Sequence, residues 1–156
     1  MSTGIALIAL TVLFFGRVAG QLLVAVLGVS WLPPMEAWFS GYLPYSILLP
    51  IQLSILGVQA TIDWQVCRGG GWFARRRPRA GRTLRRLSYL YAFAMGVRFL
   101  VTSGEHLIPI IFHWVLAAYL FVLSGHYMRA EGPRRGAPVA AGRRLSAGQT
   151  LHAGGR

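Results

Sequence analysis

Large apolar residues in this chain fall into four long blocks, and the segments between them are punctuated by Pro, Gly and Arg. The first block spans residues 5–29 and is interrupted only by Arg17 and Gln21 near its middle. The others cover 43–62, 87–103 and 108–127. Each approaches the ~20 residues needed to cross a bilayer core as a helix. Because lipid cannot satisfy backbone N–H and C=O groups, a spanning segment must satisfy them within itself. The pattern therefore predicts an all-α integral membrane protein, a four-transmembrane-helix bundle.

The breaks carry their own information. Trp31, Pro33 and Pro34 end the first span, and segment 31–42 (WLPPMEAWFSGY) is aromatic and free of basic residues, which predicts a loop lying along the membrane interface. Pro50 predicts a kink in the second span, since it frees the carbonyl four residues earlier. Segment 68–86 holds a triple Gly, a Pro and eight Arg and reads as a polar loop. The third span is short and carries Arg98, so its hydropathy is the weakest. Residues 131–156 are rich in Gly, Ala, Arg and Pro, with almost no large apolar side chains, and are expected to form a disordered C-terminal tail. The organisation is then one membrane domain over 1–130 and a basic tail over 131–156.

Composition excludes a soluble globular reading: 54% of residues are hydrophobic and only 13% are charged. The formal net charge of +12 comes from sixteen Arg and no Lys. Eight of these Arg lie in 68–86 and six in 129–156, while 31–42 and 104–107 hold none. Four spans put both Arg-rich segments on one side, so the positive-inside bias predicts cytoplasmic N and C termini and a cytoplasmic central loop. The basic charge thus reads as a topology signal, with the lipid bilayer as partner and no nucleic acid. The absence of Lys and Asn, both encoded by A-rich codons, suggests a GC-rich genome and a bacterial inner membrane. No basic stretch precedes the first apolar run, which reads as a retained span. Cys67 is alone, which excludes an internal disulfide.

Intramembrane polar residues are the candidate functional positions, because a guanidinium at mid-span costs at least ~2.5 kcal/mol on insertion scales and must face a polar interior. Arg17, Gly20, Gln21, Val24 and Gly28 form one helical stripe, and Gln52, Gln59 and Asp63 form another with Tyr45. Gln52 lies at the depth of Arg17 and Gln21, whereas Asp63 lies nearer the cytoplasmic end. Tyr91, Ala94, Met95, Arg98, Thr102 and Glu105 share a face of the third span, and His106, His113, Ala117, Leu120 and Ser124 a face of the fourth. Arg17, Gln21, Gln52, Gln59, Arg98 and His113 are therefore the candidate intramembrane site, either as interhelical glue or as contacts to a ligand. Glu36, Glu105 and His106 are a candidate cluster at the outer face, serving as interface anchors or as a binding or proton-handling site.

Metal and haem chemistry find little support in the spacing. His113 and His126 stand ~20 Å apart along a helix and ~140° apart around it, so one haem cannot bridge them, and an axial partner would have to come from a Met, a dimer or another subunit. His106 and His113 lack metal-helix spacing. No cofactor and no metal is expected. Gly16 and Gly20 form a GxxxG, usable for an intramolecular helix crossing or a homo-oligomer contact. In size the chain resembles small four-helix transporters and flippases, but the embedded Glu of the multidrug examples is missing from its first span.

Three function classes follow. The first is a binding or transport module, or a small subunit of a membrane complex, whose embedded Arg residues contact an anionic lipid or small-molecule ligand. The second is an enzyme acting on a lipid or quinone at the outer leaflet through His113 or His106 and a carboxylate. The third is a haem or redox subunit.

Overall fold

Each apolar block folds as a helix in the computed structural model, which describes residues 3–38, 44–102 and 107–129, the side chain of Glu36 excepted. In chain order the helices are α1 (Thr3–Leu27), α2 (Met35–Trp38), α3 (Tyr45–Arg68), α4 (Pro78–Val101) and α5 (Leu107–Met128), and no strand occurs among the described residues. Three of them, α1, α3 and α5, are long and apolar enough to cross a membrane. Their surfaces agree: Phe15, Val26, Leu53, Val58 and Ile111 are exposed, a distribution suited to lipid rather than water. The chain is a helical membrane protein.

The expected loop over 68–86 is shorter in the structure. The α3 helix ends at Arg68, where Gly69 adopts the left-handed conformation that only glycine takes without strain and Gly70 N–H donates to the carbonyl of Gln65. Nine residues later Pro78 opens α4, a position where its missing N–H costs nothing. Arg79, Arg82 and Arg86 face outward along the first turns of α4 while Gly81 is buried. A Cβ at Gly81 would fall 2.7 Å from Met128 Cγ and 3.1 Å from the carbonyl of Ser124, so the missing side chain is what lets α4 lie against α5. Hydropathy averages the outward Arg with this inward face and so hides a helix 24 residues long.

The four long helices run antiparallel as an arc in the order α3, α1, α5, α4. The α1 helix packs on α3 and α5, and α4 packs on α5; the backbone of α3 closely approaches neither α4 nor α5. Ser88 Oγ donates to the carbonyl of Ala117 at 2.8 Å and Trp114 Nε1 to that of Ala92 at 3.2 Å, tying α4 to α5. The apolar core, Leu7, Ile62, Tyr119, Leu123 and Tyr127, sits where α1, α3 and α5 converge. That end also gathers Arg68, the 75–77 run, Arg85 and Arg129, and is called the basic end below. Leu27, Tyr45, Val101 and Leu107 mark the far end.

The segment after α1 departs from an interfacial loop. Trp38 is buried at 7% exposure, its indole resting on Gly20, where a Cβ would fall 2.8 Å from the ring. Its Nε1 donates to the carbonyl of Pro33 at 2.9 Å. Gly20 precedes the end of α1 by seven residues, about 10 Å of helix. The short α2 therefore dips back into the helices from the far end, while Trp31 stays exposed.

Candidate functional site

Lipid penalises every polar atom that is left facing it, so the two stripes of polar residues on α1 and α3 turn toward each other. Arg17 and Gln21 are 6% and 0% exposed; Gln52, Gln59 and Asp63 lie between 3% and 6%. Gln52 Nε2 donates to Gln21 Oε1 at 3.1 Å across the α1–α3 contact. Arg17 Nη2 donates to the carbonyl of Trp38 at 3.0 Å, and its guanidinium lies 5.6 Å from the centre of the Phe112 ring. Asp63 lies about 16 Å of helix below Gln52 and accepts from the Tyr119 hydroxyl at 2.9 Å, which also reaches the Gln59 carbonyl at 3.3 Å. The acid and the arginine thus serve different ends of the column.

Several buried atoms in this column have no hydrogen-bond partner among the described residues: Arg17 Nε, Gln21 Nε2, Gln52 Oε1, and both amide atoms of Gln59. An unpartnered buried polar atom costs about 1–3 kcal/mol. Donors outnumber acceptors here, three to two, and one donor belongs to a guanidinium. Asp63 is the only acidic side chain among the described residues, and Tyr119 occupies it.

Beside the column the gap between α3 and α4 encloses an open cavity of about 510 Å³. Ser54, Val58, Gln59 and Ile62 of α3 line one wall, Leu84 and Tyr91 of α4 the other, and Leu116, Tyr119, Leu123 and Tyr127 of α5 the floor; Phe73 closes the basic end. Tyr91 lies at its outer end, with its ring 5.8 Å from that of His113. Of the unpartnered residues of the column, Gln59 lines this apolar trough, while Arg17, Gln21 and Gln52 stand outside its lining.

Of the residues singled out from the sequence, Arg17, Gln21, Gln52 and Gln59 share the buried column. His113 on α5 and the half-buried Arg98 on α4 lie outside that column. The Nδ1 of His113 shares a 2.5 Å hydrogen bond with the carbonyl of Pro109, and the Nε2 of His126 shares one of 3.2 Å with the carbonyl of Ala74. Glu105, His106, the tail over 131–156 and the side chain of Glu36 lie outside the described residues. Among the described residues no three of His, Cys, Asp and Glu come together as a metal site. Sequence reasoning did not single out Trp38 and Tyr119 as the column's partners. The signal for Trp38 was Gly20, whose missing Cβ leaves a seat for a ring.

The chain matches no protein-family model, no curated protein and no solved structure.

Proposed function

We propose that this chain is a four-span membrane module that binds, and by its open side exchanges with the bilayer, a single-chain amphiphile with an anionic head. The observation that carries the reading is the pairing of unpartnered buried donors on α1 and α3 with a lateral apolar trough between α3 and α4. The head, a phosphate or carboxylate, takes the guanidinium of Arg17 and the amide of Gln21, displacing the Trp38 carbonyl that now occupies Arg17. The chain lies along Val58, Ile62, Leu116 and Leu123 toward the basic end. An anion is the ligand class that offsets the cost of burying a guanidinium, because the described surroundings offer it only a carbonyl and a ring.

Orientation agrees with this chemistry. With the basic end cytoplasmic, as the positive-inside bias favours, Arg17 stands in the outer half of the bilayer. A ligand entering from the outer leaflet then has its head outward and its chain inward, as its neighbours in that leaflet do. The α4 helix serves as the fourth span, with its Arg-rich first turns at the cytoplasmic headgroups. The carboxylates that an enzymatic reading would pair with His113, Glu36 and Glu105, lie outside the described residues.

Native mass spectrometry of the detergent-extracted chain tests the proposal. The wild-type protein should retain an anionic amphiphile, Arg17→Gln should lose it with unchanged helical content, and Arg17→Lys should hold it more weakly because the planar fork is gone. Wild-type protein emerging bare from native lipid, or Arg17→Gln retaining the same mass, overturns it.

A further inference from the structure

At the basic end, away from the trough, a second recess of about 540 Å³ lies between the ends of α1, α4 and α5. It is lined by Thr3 and Ala6 of α1, Arg85 of α4, and Phe121, Val122, Gly125 and Met128 of α5, closed by Arg129. We infer that this recess is a binding site for one anionic phospholipid, with the phosphodiester held between Arg85 and Arg129 and the start of an acyl chain laid on Phe121 and Val122.

Three observations converge on that ligand. Of the two guanidiniums, one comes from α4 and the other from the residue that follows α5; both border the recess, and no acidic side chain among the described residues lines it. Each is already oriented. Arg85 lies over the Phe121 ring at 4.9 Å with Nε 3.4 Å from Ser124 Oγ, and Arg129 Nη1 donates to Thr3 Oγ1 at 2.7 Å. Positions held in this way lose little side-chain freedom when an anion arrives, and Arg presents a fork that matches a phosphate. Space is kept open by Gly125, where a Cβ would stand 3.9 Å from Arg85 Nη2, so any larger side chain would occupy the place between the charge and the apolar wall.

The recess also lies at the right depth. It sits at the ends of two helices long and apolar enough to cross the membrane, level with the cation–π pairs Arg68 over Trp64 at 3.7 Å and Arg77 over Trp72 at 3.5 Å. Arginine and tryptophan together mark the headgroup region. A free phosphate would use the charges and leave Phe121, Val122 and Met128 without purpose, whereas a phospholipid uses both halves.

Lipid binding is measured by native mass spectrometry of the full-length chain in detergent, titrated with short-chain phosphatidylglycerol, phosphatidylcholine or inorganic phosphate. An Arg17→Gln background removes any contribution from the trough. Phosphatidylglycerol should bind in preference to phosphatidylcholine. Arg129→Gln, a surface change, should weaken it about fivefold and Arg85→Gln/Arg129→Gln about thirtyfold. Gly125→Leu, which leaves every charge in place, should weaken it comparably to the double variant by filling the recess. The control Arg75→Gln/Arg79→Gln removes two charges elsewhere at the same end and should change affinity less than about twofold. Equal weakening by the control and recess pairs, equal binding of the two lipids, unchanged binding in Gly125→Leu, or inorganic phosphate binding as tightly as the lipid each overturns the site.

Discussion

The Nη2 of Arg17 donates to the backbone carbonyl of Trp38 at 3.0 Å, so a charge on the first helix is held by the chain that has just left that helix and turned back. The same residue's indole covers Gly20, one turn further along α1. Arg17 and Trp38 are therefore one unit: the ring seats the segment, and the carbonyl it delivers is the strongest acceptor the guanidinium has among the described residues.

If that unit is structural, its two halves differ in weight. Arg17→Met removes a charge together with its unpartnered Nε and should change stability by less than about 1 kcal/mol. Trp38→Ala empties the seat over Gly20 and should cost about 3 kcal/mol. Denaturation in detergent, followed by circular dichroism, measures both; a larger loss for Arg17→Met than for Trp38→Ala would refute the ranking.

Gln59 has neither amide atom satisfied and lines the trough. Gln59→Met should stabilise the ligand-free protein by about 1 kcal/mol, because an unpaired buried amide is replaced by a side chain of similar volume. A loss of stability of that size would mean that the amide has a partner in the membrane, and the trough would have to be redrawn.

The contact of Tyr119 with Asp63 closes the arc where α3 and α5 have no close backbone approach. Tyr119→Phe leaves the buried carboxyl group without its donor and should cost about 1–3 kcal/mol. A double-mutant cycle with Asp63→Asn should show the two changes to be strongly non-additive. Additive losses would show that the hydrogen bond contributes nothing across that gap.

Gly81 and Gly16 make a matched pair of tests. Gly81→Val forces Met128 and the Ser124 backbone apart and should cost about 1–3 kcal/mol. Gly16 has nothing within 4 Å of its Cβ position, so Gly16→Ala should be neutral or gain up to about 1 kcal/mol of helix propensity. Thermal unfolding of the two variants in one detergent decides; the reverse order would place α4 wrongly against α5.

Much of the buried column was legible in the sequence, because two simple constraints act together. Helical periodicity puts Arg17 with Gln21, and Gln52 with Gln59 and Asp63, on single faces, and lipid turns those faces inward. The separation of Asp63 from Arg17 was likewise legible as depth. The burial of Trp38 was not, since tryptophan at an interface and tryptophan on a glycine seat have the same composition, and only the position of Gly20 tells them apart. The early start of α4 was hidden because one face carries Arg while the other carries Gly81. The gap between α3 and α4 has no local signal at all: it depends on how far α5 stands from α3, which is a property of packing among three helices.

The position of α5 in the arc also sets a timetable for synthesis. As the last of the described helices to be made, α5 supplies Phe112 to Arg17, Tyr119 to Asp63, and the surface on which α4 lies. Until it is inserted, α1 meets α3 through the Gln21–Gln52 hydrogen bond and α2 through the Trp38 carbonyl on Arg17, and α4 has no described helix to rest on. The nascent chain therefore passes through a stage in which its membrane-embedded arginine and aspartate are both already inserted and still lack their aromatic partners.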